Sequence, residues 1–173
     1  MEPRTSSLEP EHRILPEQPA DAESVERLIA RAFGPGRYAK TAERLREGRQ
    51  PCMDLSFVAW RGDQPLGCVR LWPIEVADTS ALLLGPFAVD DKARGQGLGR
   101  ALIETACEAA RQAGHDFVLL GGDEAYFGPL GFSALLGRRV VMPGPVDQAR
   151  VLARALTPSA ASGFAGVARP RTP

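Results

Sequence analysis

An α/β domain built on one mixed, twisted sheet is the fold class this sequence predicts, and three consecutive stretches carry the prediction. Ala81 to Val89 is a nearly continuous apolar run, the pattern of a strand buried on both faces. A helix follows, from the glycine-rich turn Arg94 to Arg100 to about Ala113, with Leu98, Ala101, Leu102, Ala106, Ala109 and Ala113 on one face. Phe117 to Leu120 is then a second buried strand. Strand, helix and strand in that order imply a right-handed crossover with the two strands parallel or nearly so.

The remaining elements follow along the chain. Met1 to Glu11, with two prolines, two serines and mostly charged neighbours, reads as a disordered lead-in, and structure is predicted to begin near His12. Arg13 to Leu15 is a short extended piece. Asp21 stands at the cap position of a helix whose apolar residues Val25, Leu28, Ile29, Ala32 and Phe33 recur at three and four, and Gly34, Pro35 and Gly36 end it. Thr41 to Glu47 reads as a short, mostly charged surface helix. Leu55 to Trp60 and Leu66 to Trp72 flank Arg61 to Pro65 as the arms of a β-hairpin, with Trp60 and Trp72 as packing residues. Pro86 has no N–H to give to a ladder, so the strand of Ala81 to Val89 carries an irregularity at Gly85 and Pro86. Gly114 ends the long helix, and His115 after it is expected to be exposed. Arg150 to Leu156 reads as a last strand or a short helix, and residues 157–173 as a docked strand or a tail.

Composition removes several function classes. The 173 residues hold 21 basic and 21 acidic side chains, and a formal charge of zero argues against a general binder of nucleic acid or anionic membrane. No apolar run approaches the ~20 residues of a membrane span, and charges among the first residues interrupt any signal-peptide core, so a cytoplasmic location is expected. Cys52, Cys68 and Cys107 form no Cys-x-x-Cys pair, and only His12 and His115 are available beside them. That ligand shortage argues against a metal site and leaves three reduced thiols.

The turn Arg94-Gly95-Gln96-Gly97-Leu98-Gly99-Arg100 is the most informative segment. A helix N-terminus offers unpaired N–H groups and partial positive charge, and glycines clear side chains from the approach of an anion. Arg94 and Arg100 add cationic donors, so the turn suits a pyrophosphate. It is neither a Walker loop nor a Rossmann fingerprint. The pattern Arg/Gln-x-x-Gly-x-Gly/Ala is expected about 0.6 times by chance in a chain of this composition, so its placement between a buried strand and an amphipathic helix carries the signal. A turn serving only tight strand-to-helix packing, or a site for another nucleotide or phosphate, remains open at this stage.

Together with the strand Leu82 to Val89, the helix, the strand Phe117 to Leu120 and the run Tyr126-Phe127-Gly128-Pro129-Leu130-Gly131-Phe132, this turn resembles the GNAT superfamily of acyl-CoA-dependent N-acyltransferases. The match is strongest over residues 82–132, and the resemblance covers about residues 12–156, which it implies as the domain. Gly122-Asp123 and the late stretch Gly163 to Val167 further resemble a branch of predicted bacterial N-acetyltransferases. The resemblance implies a single-domain fold in which strands 82–89 and 117–120 are parallel but splayed at the Gly85-Pro86 bulge. It implies acetyl-CoA as cosubstrate and an N-acetyltransferase acting on a small-molecule or peptide amine. It implies pantetheine pairing with the backbone of Phe87, Ala88 and Val89, and pyrophosphate held by Arg94, Gly95, Gln96, Gly97, Leu98, Gly99 and Arg100. Lys92 is a further candidate for the nucleotide's phosphate. A homodimer is left open, and a catalytically weak acyl-CoA-binding or regulatory module is the alternative to an enzyme.

Acyl transfer from a thioester needs a neutral amine, a stabilised oxyanion and a proton for the departing thiolate. The resemblance puts a tyrosine four positions before the final Gly-Phe, but that slot holds Phe127, and Tyr126 stands one residue earlier. One helical step turns a side chain by about 100°. Tyr126 is the candidate acid, and water is favoured beside it, because a thiol of pKa about 8.5 leaves tolerably without help. Glu75, Asp123 and Glu124 are the acidic groups expected near the crevice, with Asp123 more readily explained as a helix cap.

Overall fold

The computed structural model describes residues 12–34, 40–162 and 164–171. The predicted lead-in, residues 1–11, lies outside them. Six strands run side by side in the order β1 (Arg13–Pro16), β2 (Phe57–Arg61), β3 (Gln64–Val76), β4 (Thr79–Val89), β5 (Phe117–Gly121) and β7 (Val151–Ala155). Neighbours are antiparallel except β4 and β5, which are parallel as the crossover requires. Two more strands complete the sheet: β8 (Gly166–Pro170) pairs antiparallel with Ile74 to Val76 at the end of β3 and parallel with β6 (Val140–Val141). Phe164, just before β8, stacks on Phe117 with ring centroids 4.1 Å apart.

Period-two alternation sends β3 and β4 side chains to two helical layers. Helix α1 (Ala22–Phe33) buries Val25, Leu28 and Ile29 against Val58, Cys68 and Ala88. Helix α2 (Leu98–Gln112) covers the other face, setting Leu98, Leu102, Ile103 and Ala106 against Val69, Leu71, Leu82 and Leu84. Two short helices, α3 (Glu124–Phe127) and α4 (Ala134–Gly137), follow β5.

Several expectations are corrected. The buried stripe of α2 includes Ile103, Cys107 and Ala110, while Ala113 is exposed and Ala101 and Ala109 only half-buried, because the stripe follows the sheet rather than the alanines. In α1, Phe33 is 39% exposed and Ala32 is exposed, since the helix runs past the strand it covers. Asp21 does not cap α1 by its side chain; it ends a 3-10 turn (Pro19–Asp21), and its carboxylate accepts the Gln18 N–H at 2.8 Å. Thr41–Leu45 is a 3-10 turn that drives Leu45 into the core beside Trp72 and Leu83. Burying that leucine is worth roughly 1.5–3 kcal/mol, which a purely surface helix would forgo. His115 is half-buried, and burial pushes its imidazole below the ordinary histidine value, with Arg171 adding to the shift and Asp116 opposing it.

Glu17 and Arg70 form a two-bonded ion pair, Nε to Oε2 at 3.0 Å and Nη2 to Oε1 at 2.8 Å, and Glu26 takes the remaining Nη1 at 2.6 Å. Burial opposes the charge on Arg70, but the two carboxylates outweigh it and raise its pKa.

Candidate active site

The site begins where the sheet opens. Among the described residues, β4 and β5 are paired only at Leu82 to Val118 and Leu83 to Leu119, and from Leu84 to Val89 no strand lies on that edge of β4. The sequence cause is the Gly85-Pro86 step. The register of β3 against β4 slips there, with Val69 opposite Phe87 and Leu71 opposite Leu84, so two residues of β4 face the single Arg70. The Gly85-Pro86 peptide is cis, and the Trp72 indole N–H donates to the Gly85 carbonyl from the far side. An open wedge between the strands results, lined by Leu84 to Phe87 on one wall and by Leu120 to Asp123 on the other, with a volume of about 390 Å³.

A second cavity adjoins it where β4 meets α2. Asp90 accepts the Lys92 N–H at 2.9 Å and turns the chain out of β4. Gly95 and Gly97 then adopt φ of +76° and +78°, the left-handed region glycine enters at least cost. A Cβ on Gly97 would meet no atom within 4 Å, so the ground before α2 is open. The first bond of the helix joins Ala101 N–H to the Gly97 carbonyl at 3.1 Å, which leaves the N–H groups of Leu98, Gly99 and Arg100 without helical partners. An anion entering that cavity meets three amides and the positive end of a 15-residue helix.

Of the residues singled out in the sequence, Phe87, Ala88, Val89, Arg94, Gly95, Gly97, Leu98, Gly99, Arg100 and Tyr126 all line this second cavity. Gln96 belongs to the turn but not to the lining. Arg94 is exposed and paired through Nε with Asp91 at 3.1 Å, and Arg100 donates to the Pro129 carbonyl at 3.3 Å, tying α2 to the turn after α3.

Tyr126 and Phe127 meet edge to face on the single turn of α3, with ring centroids 4.8 Å apart, and both line the wedge. Phe127 packs into the core layer: Gly122 has no room for a Cβ because the Phe127 ring would stand 2.5 Å from it, and Phe87 and Phe132 meet the ring edge-on at 6.1 Å. Tyr126 is 50% exposed, lies at the junction of both cavities, and rests its hydroxyl where a Gly99 Cβ would be 2.7 Å away. Gly122 makes room for the Phe127 ring and Gly99 for the Tyr126 hydroxyl, contacts that nothing in the local pattern announced.

The three acidic residues are placed differently from one another. Asp123 caps α3 by accepting the Ala125 N–H at 3.1 Å, while also lining the wedge. Glu124 turns away and accepts the Ala134 N–H at 3.0 Å. Glu75 stands opposite Ser80 and Arg169, at the end of β3 remote from the bulge. The sequence reading missed Phe33, Lys40, Arg46 and Arg150, which also line the wedge. Only Phe33 left a signal, as the last apolar residue of a helix with nothing beyond it to cover. Among the described residues no group of three or more His, Cys, Asp or Glu side chains is assembled for a metal, and no helix is long and apolar enough to cross a membrane.

A sequence model of the Acetyltransferase (GNAT) family matches residues 22–127, which takes in α1, the splayed strands, the glycine turn and α3. The uncharacterized N-acetyltransferase YhbS of Escherichia coli K12 is 29% identical over 157 residues, 89% of this chain and 93% of that protein. The crystal structure of Escherichia coli YhbS in complex with CoA superposes with a TM-score of 0.79 at 27% identity, over 93% of this chain and 90% of that one. A GNAT family acetyltransferase from Brucella melitensis, crystallised with acetyl-CoA, superposes with a TM-score of 0.60 at 26% identity, over 81% and 94% of the two chains. With the family pattern spanning more than half of its length and the same mixed, opened sheet beneath it, this chain belongs to the GNAT acetyltransferase family.

Proposed function

We propose that the protein transfers an acetyl group from acetyl-CoA to the primary amine of an acceptor. The observation that carries the reading is the continuity of two features: the wedge between β4 and β5 runs into the glycine-lined N-terminus of α2, with Phe87 and Tyr126 bordering both. A long ligand with an anionic middle and an extended thiol arm fits that shape and chemistry. The open ground before Gly97 and the free amides of Leu98, Gly99 and Arg100 suit the pyrophosphate, with Arg94 as a further cation. The unpaired edge of β4 at Phe87, Ala88 and Val89 suits the amide groups of pantetheine. Acetyl-CoA supplies the activated acetyl group as a thioester.

This chain's own residues then have three tasks. The wedge orients the acceptor amine and keeps bulk water from the reacting carbon. Backbone N–H groups near the bulge are the available donors for the oxyanion. Tyr126 is the candidate donor of a proton to the departing thiolate, by turning its hydroxyl from Gly99, where it rests, into the wedge that it and Phe127 both line; water is the alternative donor. The engagement of Asp123 and Glu124 in helix caps favours a second reading, an acyl-CoA-binding module without turnover. Calorimetry with acetyl-CoA followed by thiol release over an amine panel separates the two: binding with turnover supports transfer, binding alone supports the module, and no binding removes both.

A further inference from the structure

The wedge carries more positive charge than an amine acceptor alone would call for. Among the described residues lining it are Lys40, Arg46 and Arg150 against one carboxylate, Asp123, which already accepts the Ala125 N–H. Arg46 is the buried member: its side chain is 9% exposed, it bonds Glu43 through Nη2 at 3.0 Å, and its Nη1 lies 2.9 Å from where a Gly85 Cβ would stand, on the wall formed by the bulge. Arg150 comes from the opposite side, exposed, held by its backbone carbonyl accepting the Gly122 N–H at 2.9 Å, and its side chain has no acidic partner among the described residues. Lys40 stands 4.9 Å over the ring of Phe33 at the rim. The charge of Arg46 is shared with Glu43, so a polycation entering here would meet chiefly the exposed charges of Lys40 and Arg150, whereas an oxyanion would find the planar guanidinium donors of Arg150.

On the reading that this wedge receives the acceptor of acetyl transfer, we infer that the acceptor is a small primary amine that also bears an oxyanion, a carboxylate or a phosphate, of about amino-acid size. The wedge, of about 390 Å³, also takes the end of the thiol arm, and what is left suits a small acceptor. The same cations serve the chemistry. Positive charge beside an ammonium favours its neutral form, and the proton it gives up passes to exposed Asp123, whose Oδ1 alone is taken by the Ala125 N–H, or to solvent.

The test uses the full chain with acetyl-CoA and matched pairs of acceptors: amino acids against their amides, phosphoethanolamine against ethanolamine, and spermidine as a polycation. Thiol release gives kcat/KM, and calorimetry on protein saturated with CoA gives acceptor affinity independently of turnover. The expected result is a preference of about tenfold or more for the anionic member of the carboxylate or the phosphate pairs, in both readouts, and which pair shows it identifies the oxyanion. Arg150→Glu, at an exposed position, is expected to cancel or invert that preference while leaving the Kd for acetyl-CoA in place. The inference is overturned if amides, ethanolamine or spermidine are used as well or better, if no anionic amine is bound and acetylated above its neutral partner, or if Arg150→Glu leaves the preference intact. Turnover on neutral amines would overturn this inference and leave acetyl transfer standing; failure of acetyl-CoA to bind would remove the reading beneath it.

Discussion

Gly97→Asp tests the glycine turn with the fold held nearly constant. At φ +78° and ψ 6°, Gly97 sits in the left-handed region, where an ordinary side chain costs roughly 1–2 kcal/mol and Asp or Asn costs least. Its Cβ would meet nothing within 4 Å, so no steric term adds to that cost, and an acidic group at the N-terminus of α2 returns about 0.3–1 kcal/mol through the helix dipole. Net destabilisation is therefore about 1 kcal/mol, a fall in Tm of about 2–4 °C for a chain of this length. Binding is expected to respond far more. A carboxylate about 4 Å from a phosphate is opposed by as much as ~4 kcal/mol at an effective dielectric of 20, and solvent at this open site reduces that to about 1–2 kcal/mol. Losing one charge-assisted bond from an α2 amide adds about 1.5–3 kcal/mol. The Kd for acetyl-CoA measured by calorimetry should rise about 100-fold or more. Gly97→Asn, equal in bulk and neutral, should lose only part of that. A folded Gly97→Asp protein with Tm within a few degrees of wild type and unchanged acetyl-CoA affinity would refute the assignment of the turn.

Four further outcomes are expected. Replacing Arg94 or Arg100 by Ala should weaken CoA more than pantetheine in parallel titrations, because only CoA carries the phosphates; equal loss for both would mean that the arginines act through structure, for which the Arg100 bond to Pro129 is the route. Tyr126→Phe should lower kcat at least tenfold with little change in KM for acetyl-CoA, whereas Phe127→Tyr should bring no gain because that ring is held against Gly122; a rise in kcat for Phe127→Tyr would return the acid to the slot that the sequence resemblance gives it. Arg70→Ala leaves Glu17, 2% exposed, without its cation and should cost about 3 kcal/mol or more in chemical denaturation, with the Arg70→Met/Glu17→Met double variant recovering much of the loss. Burial pushes the Cys68 thiol up to about 12 and the Cys107 thiol up to about 11, so the folded protein holds protons that the unfolded chain releases near pH 9, and stability should fall as pH rises from about 9 towards those values. Cys68→Ala should flatten that fall, and below pH 9 only half-buried Cys52 should react with iodoacetamide in the native state.

What the sequence by itself determined is everything written in short-range pattern. The β4–α2–β5 order, the irregularity at Gly85 and Pro86, the hairpin of β2 and β3, the cap at Asp123 and the glycines before α2 all follow from periodicity, from proline's missing N–H or from glycine's access to positive φ, properties that act within a few residues. The tertiary structure decided which residues separated in sequence come face to face. Arg70 meets Glu17 across 53 positions and Glu26 across 44, and the wedge draws Phe33, Arg46 and Arg150 from three elements that no spacing rule connects. The facing of Tyr126 was undecidable locally because α3 is one turn long; the contacts of Phe127 with Gly122 and of Tyr126 with Gly99 place the two rings. β8 likewise found its place on β3 and β6 only once the end of β3 extended past its partner β2 and left an edge to pair. Local propensity is a property of the backbone and its nearest neighbours, whereas register, splay and the meeting of distant charges depend on how whole layers pack, and the chemistry of the wedge belongs to that second level.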